Sequence, residues 1–175
     1  MKGPILNIEE VDYRPWGHGH GRPDETKPGE AYQARLGDIA RRIGAQKLGY
    51  NLTVLPPGKR AFPFHNHRVN EEMFFVLEGQ GEIRIGAARY AIRQGDVIAC
   101  PAGGPETAHQ IINTAAVGDL KYLAVSTRQT PEIAEYPDSG KFAVFAELPP
   151  AADGKPQQFR FVSRGGEGLD YWEGE

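Results

Sequence analysis

The run Pro57-Gly-Lys-Arg-Ala-Phe-Pro-Phe-His65-Asn-His67-Arg-Val-Asn-Glu71-Glu72-Met-Phe-Phe-Val-Leu-Glu78-Gly79 gathers the chemistry of this 175-residue chain. Its two histidines alternate with one residue between them. On an extended strand that spacing puts both imidazoles on one face, about 6.5–7 Å apart along the strand, a separation that one metal ion can bridge.

Working outward, the length suits one domain with extensions. Twenty basic against twenty-three acidic residues leave a formal charge of −3. No basic excess marks a nucleic-acid partner. No apolar run approaches the roughly 20 residues that span a bilayer, and the N-terminus lacks the apolar centre of a signal peptide. The expectation is a cytoplasmic protein that binds neither nucleic acid nor membrane. Cys100 is the lone cysteine, which leaves no intrachain disulfide. It precedes Pro101 at the end of an apolar run and reads as a small buried hydrophobe.

The 22 glycines and 14 prolines are spread among apolar runs, as in short strands joined by turns. Residues 1–43 read as an N-terminal arm packing on a barrel, with Leu36, Ile39, Ala40 and Ile43 at helical spacing. His18 and His20 sit among glycines with no matching carboxylate and read as a loop. From Leu48 the pattern is β. Strands are expected at 48–55, 62–67, 72–77, 82–85, 89–93, 97–100, 110–113 and 120–126, punctuated by Pro56-Pro57-Gly58, Gly79-Gln-Gly81, Gly86 and Gly95-Asp96. About eight short strands within 44–128 suit an antiparallel barrel or sandwich. Residues 129–175 form a C-terminal extension: 131–141 as an ordered loop, with Tyr136–Lys141 a structural turn or a lid, then a strand at 142–146 and an aromatic tail docked on the body.

His65, His67 and one of the paired glutamates offer two neutral nitrogens and an anionic oxygen, a set suited to a divalent ion such as Fe, Mn, Zn or Ni. His109, after the loop 101–108, is the further candidate. Burying a carboxylate beside three imidazoles with neither metal nor proton would be costly. Glu106 and Thr107 in that loop are candidates for overhanging the pocket.

These residues resemble the two motifs of the cupin superfamily. The first is a glycine, five residues, His-x-His, three or four residues, Glu, six residues, Gly. Here Gly58 is followed by six residues, then His65-Asn-His67, four residues, Glu72, six residues and Gly79. In the second, Gly95, Pro101, Gly103, His109 and Asn113 match, with five residues instead of two between Gly103 and His109. The resemblance implies an all-β fold, an antiparallel double-stranded β-helix or jelly-roll barrel, with a metal on His65, His67, Glu72 and His109. Glu72 is preferred to Glu71 by the count to Gly79.

Strand parity adds that if Glu72 points inward, so do Phe74 and Val76, while Met73, Phe75 and Leu77 point outward. Both faces are apolar, so something must cover the outer one: the terminal extensions or the partner of a homodimer. By the same parity Asn113 shares a face with His109 and Ile111.

Fold alone does not give function. The resemblance implies a metal-dependent enzyme acting on a small polar metabolite, either like bacterial sugar-phosphate isomerase-like cupins or like cupin dioxygenases. The alternative is a non-catalytic module that binds a metal and a small molecule. A third reading is a metal-free barrel whose histidines act as acid and base.

Overall fold

The computed structural model describes residues 3–17, 28–166 and 168–175, so His18 and His20 lie outside the described residues. In chain order the strands are β1 (Arg14–Gly17), β2 (Gln33–Asp38), β3 (Leu48–Leu55), β4 (Asn66–His67), β5 (Glu72–Glu78), β6 (Gln80–Ile85) and β7 (Ala88–Arg93). They continue with β8 (Val97–Cys100), β9 (His109–Ile112), β10 (Leu120–Thr127), β11 (Glu132–Tyr136), β12 (Lys141–Leu148) and β13 (Gln157–Arg164). One helical turn, α1 (Ala40–Ile43), lies between β2 and β3.

The strands form a six-stranded sheet in the order β1-β2-β3-β10-β5-β8, a four-stranded sheet β13-β12-β11-β4 and a three-stranded sheet β7-β6-β9. Backbone hydrogen bonds between His65 and His109, in both directions at 3.2 and 2.7 Å, join the two smaller sheets into one wall. The result is the jelly-roll architecture of the double-stranded β-helix. Inside it lie Leu36, Leu55, Phe74, Val76, Ile83 and Leu120, all buried. Gly79 turns β5 into β6 at φ 82°, where a Cβ would come within 2.3 Å of the Asp119 carbonyl oxygen. Only glycine fits that crossing.

The β5 parity is as expected. Phe74 and Val76 are buried inside, while Met73, Phe75 and Leu77 are half-buried on the other face. A second apolar cluster of Val11, Ile39 and Leu52 packs there with Leu6, Tyr13 and Leu77. The N-terminal segment therefore covers part of the outer face. Val97, whose Cα pairs with that of Phe75, remains 68% exposed.

The aromatic tail is not docked as expected: Leu169, Tyr171 and Trp172 are 72–84% exposed. Three further local expectations differ from the structure. The helical spacing of residues 34–43 yields only the single turn of α1; residues 33–38 are strand β2, paired with β3 through Leu36↔Thr53 and Gly37↔Leu52. Pairing with β3 outweighs the local spacing, and Gly37 leaves the room that Val11 fills: a Cβ there would stand 2.3 Å from Val11 Cγ1. Residues 62–67 are not one strand, because Pro63 lacks the N–H that a ladder needs and only Asn66–His67 pair regularly. The stretch 131–141 is no loop. It holds β11, and the turn at 137–140 leads into β12, with Asp138 tied to Arg84 on β6 at 2.8 Å.

Candidate metal centre

The ligand-type side chains reach one point from three directions. β4 and the residue before it carry His67 and His65, β5 opens with Glu72, and β9 opens with His109. Around Glu72 Oε2 stand the Nε2 atoms of His109 at 2.9 Å, His67 at 3.6 Å and His65 at 3.9 Å. Donor atoms of His65, His67 and Glu72 all lie within 4.8 Å of one another. His109 is the residue nearest the carboxylate. The structure thus brings together all four residues singled out in the sequence.

The opposite edge of each ring bears on whether these residues suit a metal. Nδ1 of His65 is 2.8 Å from the Pro63 carbonyl oxygen, and Nδ1 of His109 is 3.3 Å from that of Thr107. Nδ1 of His67 faces the Glu132 carboxylate at 3.7 Å. All three Nε2 atoms turn toward the cluster; His65 Nδ1–H is set to donate to the Pro63 carbonyl, while with no ion present His109 Nε2–H is set to donate to Glu72 Oε2 at 2.9 Å, a proton that a metal would displace. Three such nitrogens and one carboxylate oxygen fit a first-row divalent ion.

The electrostatics favour a charged Glu72 and a neutral His65, and pull His67 the other way. Burial would raise the Glu72 pKa, but the neighbouring histidines hold the carboxyl well below the usual carboxylate range. Burial, helped by His109, pushes His65 down to about 4, so its ring is neutral at physiological pH. For His67 burial again opposes the charge, yet Glu72 and Glu132 outweigh it and the pKa is raised.

The ligand set opens on a cavity of about 240 Å³, walled by Phe62, Phe74 and Ile111, with Asn51, Gln110 and Tyr122 as its uncharged polar groups. Gln110 is held by donating Nε2–H to the Phe62 carbonyl at 2.8 Å, and Asn51 accepts from Thr53 Oγ1 at 2.9 Å. Burial raises the Tyr122 pKa, which keeps its hydroxyl protonated.

Other sequence candidates fall elsewhere. Asn113 is fully buried, but its amide donates to the carbonyls of Leu55 and Gly118 at 2.8 and 2.9 Å and closes the 114–118 loop. Glu106 accepts from the Gly104 N–H at 2.8 Å and caps its own turn. Thr107 contributes through its backbone, at His109. Cys100 is buried, and burial with Glu72 nearby pushes its thiol up to about 12. The turn at 137–140 follows Tyr136, whose ring stacks on His65 with centroids 6.2 Å apart. Glu132 and Tyr136, both on β11, escaped the sequence reading. The alternation Glu132, Ala134, Tyr136 puts them on one strand face without saying what that face meets.

Residues 51–126 match the family model described as "Cupin domain". An uncharacterized protein of Methanocaldococcus jannaschii is 33% identical over 59% of this chain and 81% of the relative. Quercetin 2,3-dioxygenase of Bacillus subtilis is 29% identical over 77% of this chain, which spans only 46% of that enzyme. Among solved structures, a sugar phosphate isomerase of the cupin superfamily from Silicibacter pomeroyi superposes with a TM-score of 0.71 and 24% identity. That alignment covers 96% of this chain and 98% of the other. With the model falling inside its barrel and a relative covered along four-fifths of its length, the chain belongs to the cupin superfamily.

Proposed function

We propose that this chain is a metal-dependent enzyme of the cupin superfamily that binds one divalent ion through His65, His67, Glu72 and His109 and acts on a small polar metabolite in the adjoining cavity. The observation that carries this reading is the gathering of all three Nε2 atoms, within 3.9 Å, around one carboxylate oxygen of Glu72, with the Nδ1 atoms of His65 and His109 turned to backbone carbonyls. A divalent ion held there supplies Lewis-acid polarisation of a substrate oxygen or, if redox-active, reactivity toward dioxygen.

The chain's own residues do the rest. Phe62 and Phe74 exclude water, Asn51 keeps an amide N–H₂ for a substrate oxygen, and the protonated Tyr122 hydroxyl, paired with Thr53, adds a neutral polar group to the wall. The reaction is an isomerisation or a dioxygenation. The first is supported by the likeness to a protein described as a sugar phosphate isomerase, the second by the likeness to quercetin 2,3-dioxygenase. Oxygen uptake by protein reconstituted anaerobically with iron, manganese or nickel decides between them. Uptake with a candidate substrate selects dioxygenation; turnover of a sugar phosphate without uptake selects isomerisation.

The half-exposed sheet face around Met73, Phe75 and Val97 supports a homodimer, with a second copy covering what the N-terminal segment leaves open. Among the described residues no helix is long and apolar enough to cross a membrane, and the cytoplasm is the proposed setting.

A further inference from the structure

β11 lies outside the residues that match the cupin family model, yet it backs the histidine pair directly. Its backbone pairs with β4 through Ala134↔His67 and Glu135↔Asn66. Glu135 accepts from Asn66 Nδ2 at 2.8 Å and from Arg68 at 2.9 Å. Glu132 is only 7% exposed, and its carboxylate is held by three consecutive backbone N–H groups: Arg68 at 3.1 Å, Val69 at 3.2 Å and Asn70 at 2.8 Å. The Asn70 side-chain amide donates to it as well. Those three amides form the connection between His67 and Glu72. One buried anion therefore organises the loop joining two ligand-bearing segments.

The same carboxylate faces His67. Oε2 stands 3.7 Å from Nδ1, and that nitrogen is buried with no hydrogen-bond partner among the described residues. The distance exceeds a hydrogen bond, so the hold is the attraction of an anion for the ring N–H. A ring turned to bring its lone pair against Glu132 would set two electron-rich groups together in a dry place. His65 and His109 have neutral carbonyls in the equivalent position.

We propose that Glu132 is a positioning residue of the centre: pinned by the 68–70 amides, it holds the His67 imidazole with Nδ1–H toward β11 and so presents Nε2 beside Glu72. This rests on the metal-binding reading for its consequence, though not for its geometry. A purely structural role, capping the loop, is the competing explanation.

The test is zinc titration against a competing chelating indicator with wild-type protein, Glu132→Gln, His67→Ala and the double variant. Removing a carboxylate that orients a ligand histidine is expected to weaken zinc binding about 10–100-fold. In the His67→Ala background the same substitution is expected to change affinity by less than about two-fold, because its target is gone. Equal losses in both backgrounds, or no loss in the first, overturn the proposal.

The second readout needs no variant: nitrogen-15 NMR of the His67 ring in wild-type protein, metal-free and with zinc. A His67 Nδ1–H slow to exchange with water is expected in both forms. An absent or freely exchanging one overturns the proposal. If wild-type protein takes up no zinc, the metal reading fails, and the metal-free spectrum still decides what Glu132 does.

Discussion

Glu72 Oε2 and His109 Nε2 stand 2.9 Å apart, although Glu72 opens β5 in the six-stranded sheet and His109 opens β9 in the three-stranded one. The two meet only when the sheets close on each other. A ligand binding there binds the folded chain and not the unfolded one. Zinc at 100 times its dissociation constant should add about 2.7 kcal/mol, or roughly 5–10 °C in melting temperature for a chain of this size. Differential scanning fluorimetry checks this, and His109→Ala should abolish most of the rise.

The His65 ring gives the metal-free protein a defined acid sensitivity. Its folded value of about 4 lies below the ordinary 6.5, so between these limits the unfolded chain takes up a proton that the folded one refuses. Its contribution to stability is whole above pH 6.5 and is lost as the pH falls toward 4, roughly 3 kcal/mol in all. Glu72, held below the usual carboxylate range, acts in the same sense at lower pH. His67 is raised instead, so its contribution is complete below pH 6.5 and does not offset the loss in this window. Urea unfolding of chelator-treated protein at pH 7 and pH 4 should show a loss about 3 kcal/mol larger for wild type than for His65→Gln. Equal losses contradict the assignment.

Much of this centre can be read from residue types alone. His65, His67, Glu72 and His109 announce their chemistry, and the alternation of the strands between Leu48 and Thr127 tells which face each side chain takes. Glu132 does not announce itself, since a glutamate at an inward strand position looks like solvent-facing sequence until the amides of Arg68, Val69 and Asn70 come round to meet it. That meeting spans more than sixty residues, and no local pattern encodes it. β2 was obscured for a related reason: Leu36 shares a helical spacing with Ile39 and Ile43, yet residues 35–38 pair with β3, and that pairing is decided at long range.

Cys100 offers a check on the inner wall. Its Cα pairs with that of Glu72, and its thiol, buried and pushed up to about 12, is thiol and not thiolate at pH 8. Iodoacetamide at pH 8 should leave the native protein unmodified and alkylate it fully in guanidinium. Rapid labelling of native protein would mean that β8 is open.

The outer face carries the prediction about assembly. Val97 is 68% exposed beside the half-buried Phe75. Sedimentation should give a dimer for wild type and a monomer for Val97→Glu, with monomer stability changed by no more than about 0.5 kcal/mol, as for an ordinary surface site. A wild-type monomer contradicts the dimer.

The most direct measurement of the central claim is elemental analysis of the protein after anaerobic reconstitution with iron(II), manganese, nickel or zinc and removal of loosely held ions. The account predicts about one divalent ion per chain for wild type and a loss of most of it in Glu72→Gln and His67→Ala, as expected when a ligand is removed from a single site. A wild-type protein that retains none of the four ions, or variants that retain as much as wild type, would contradict it.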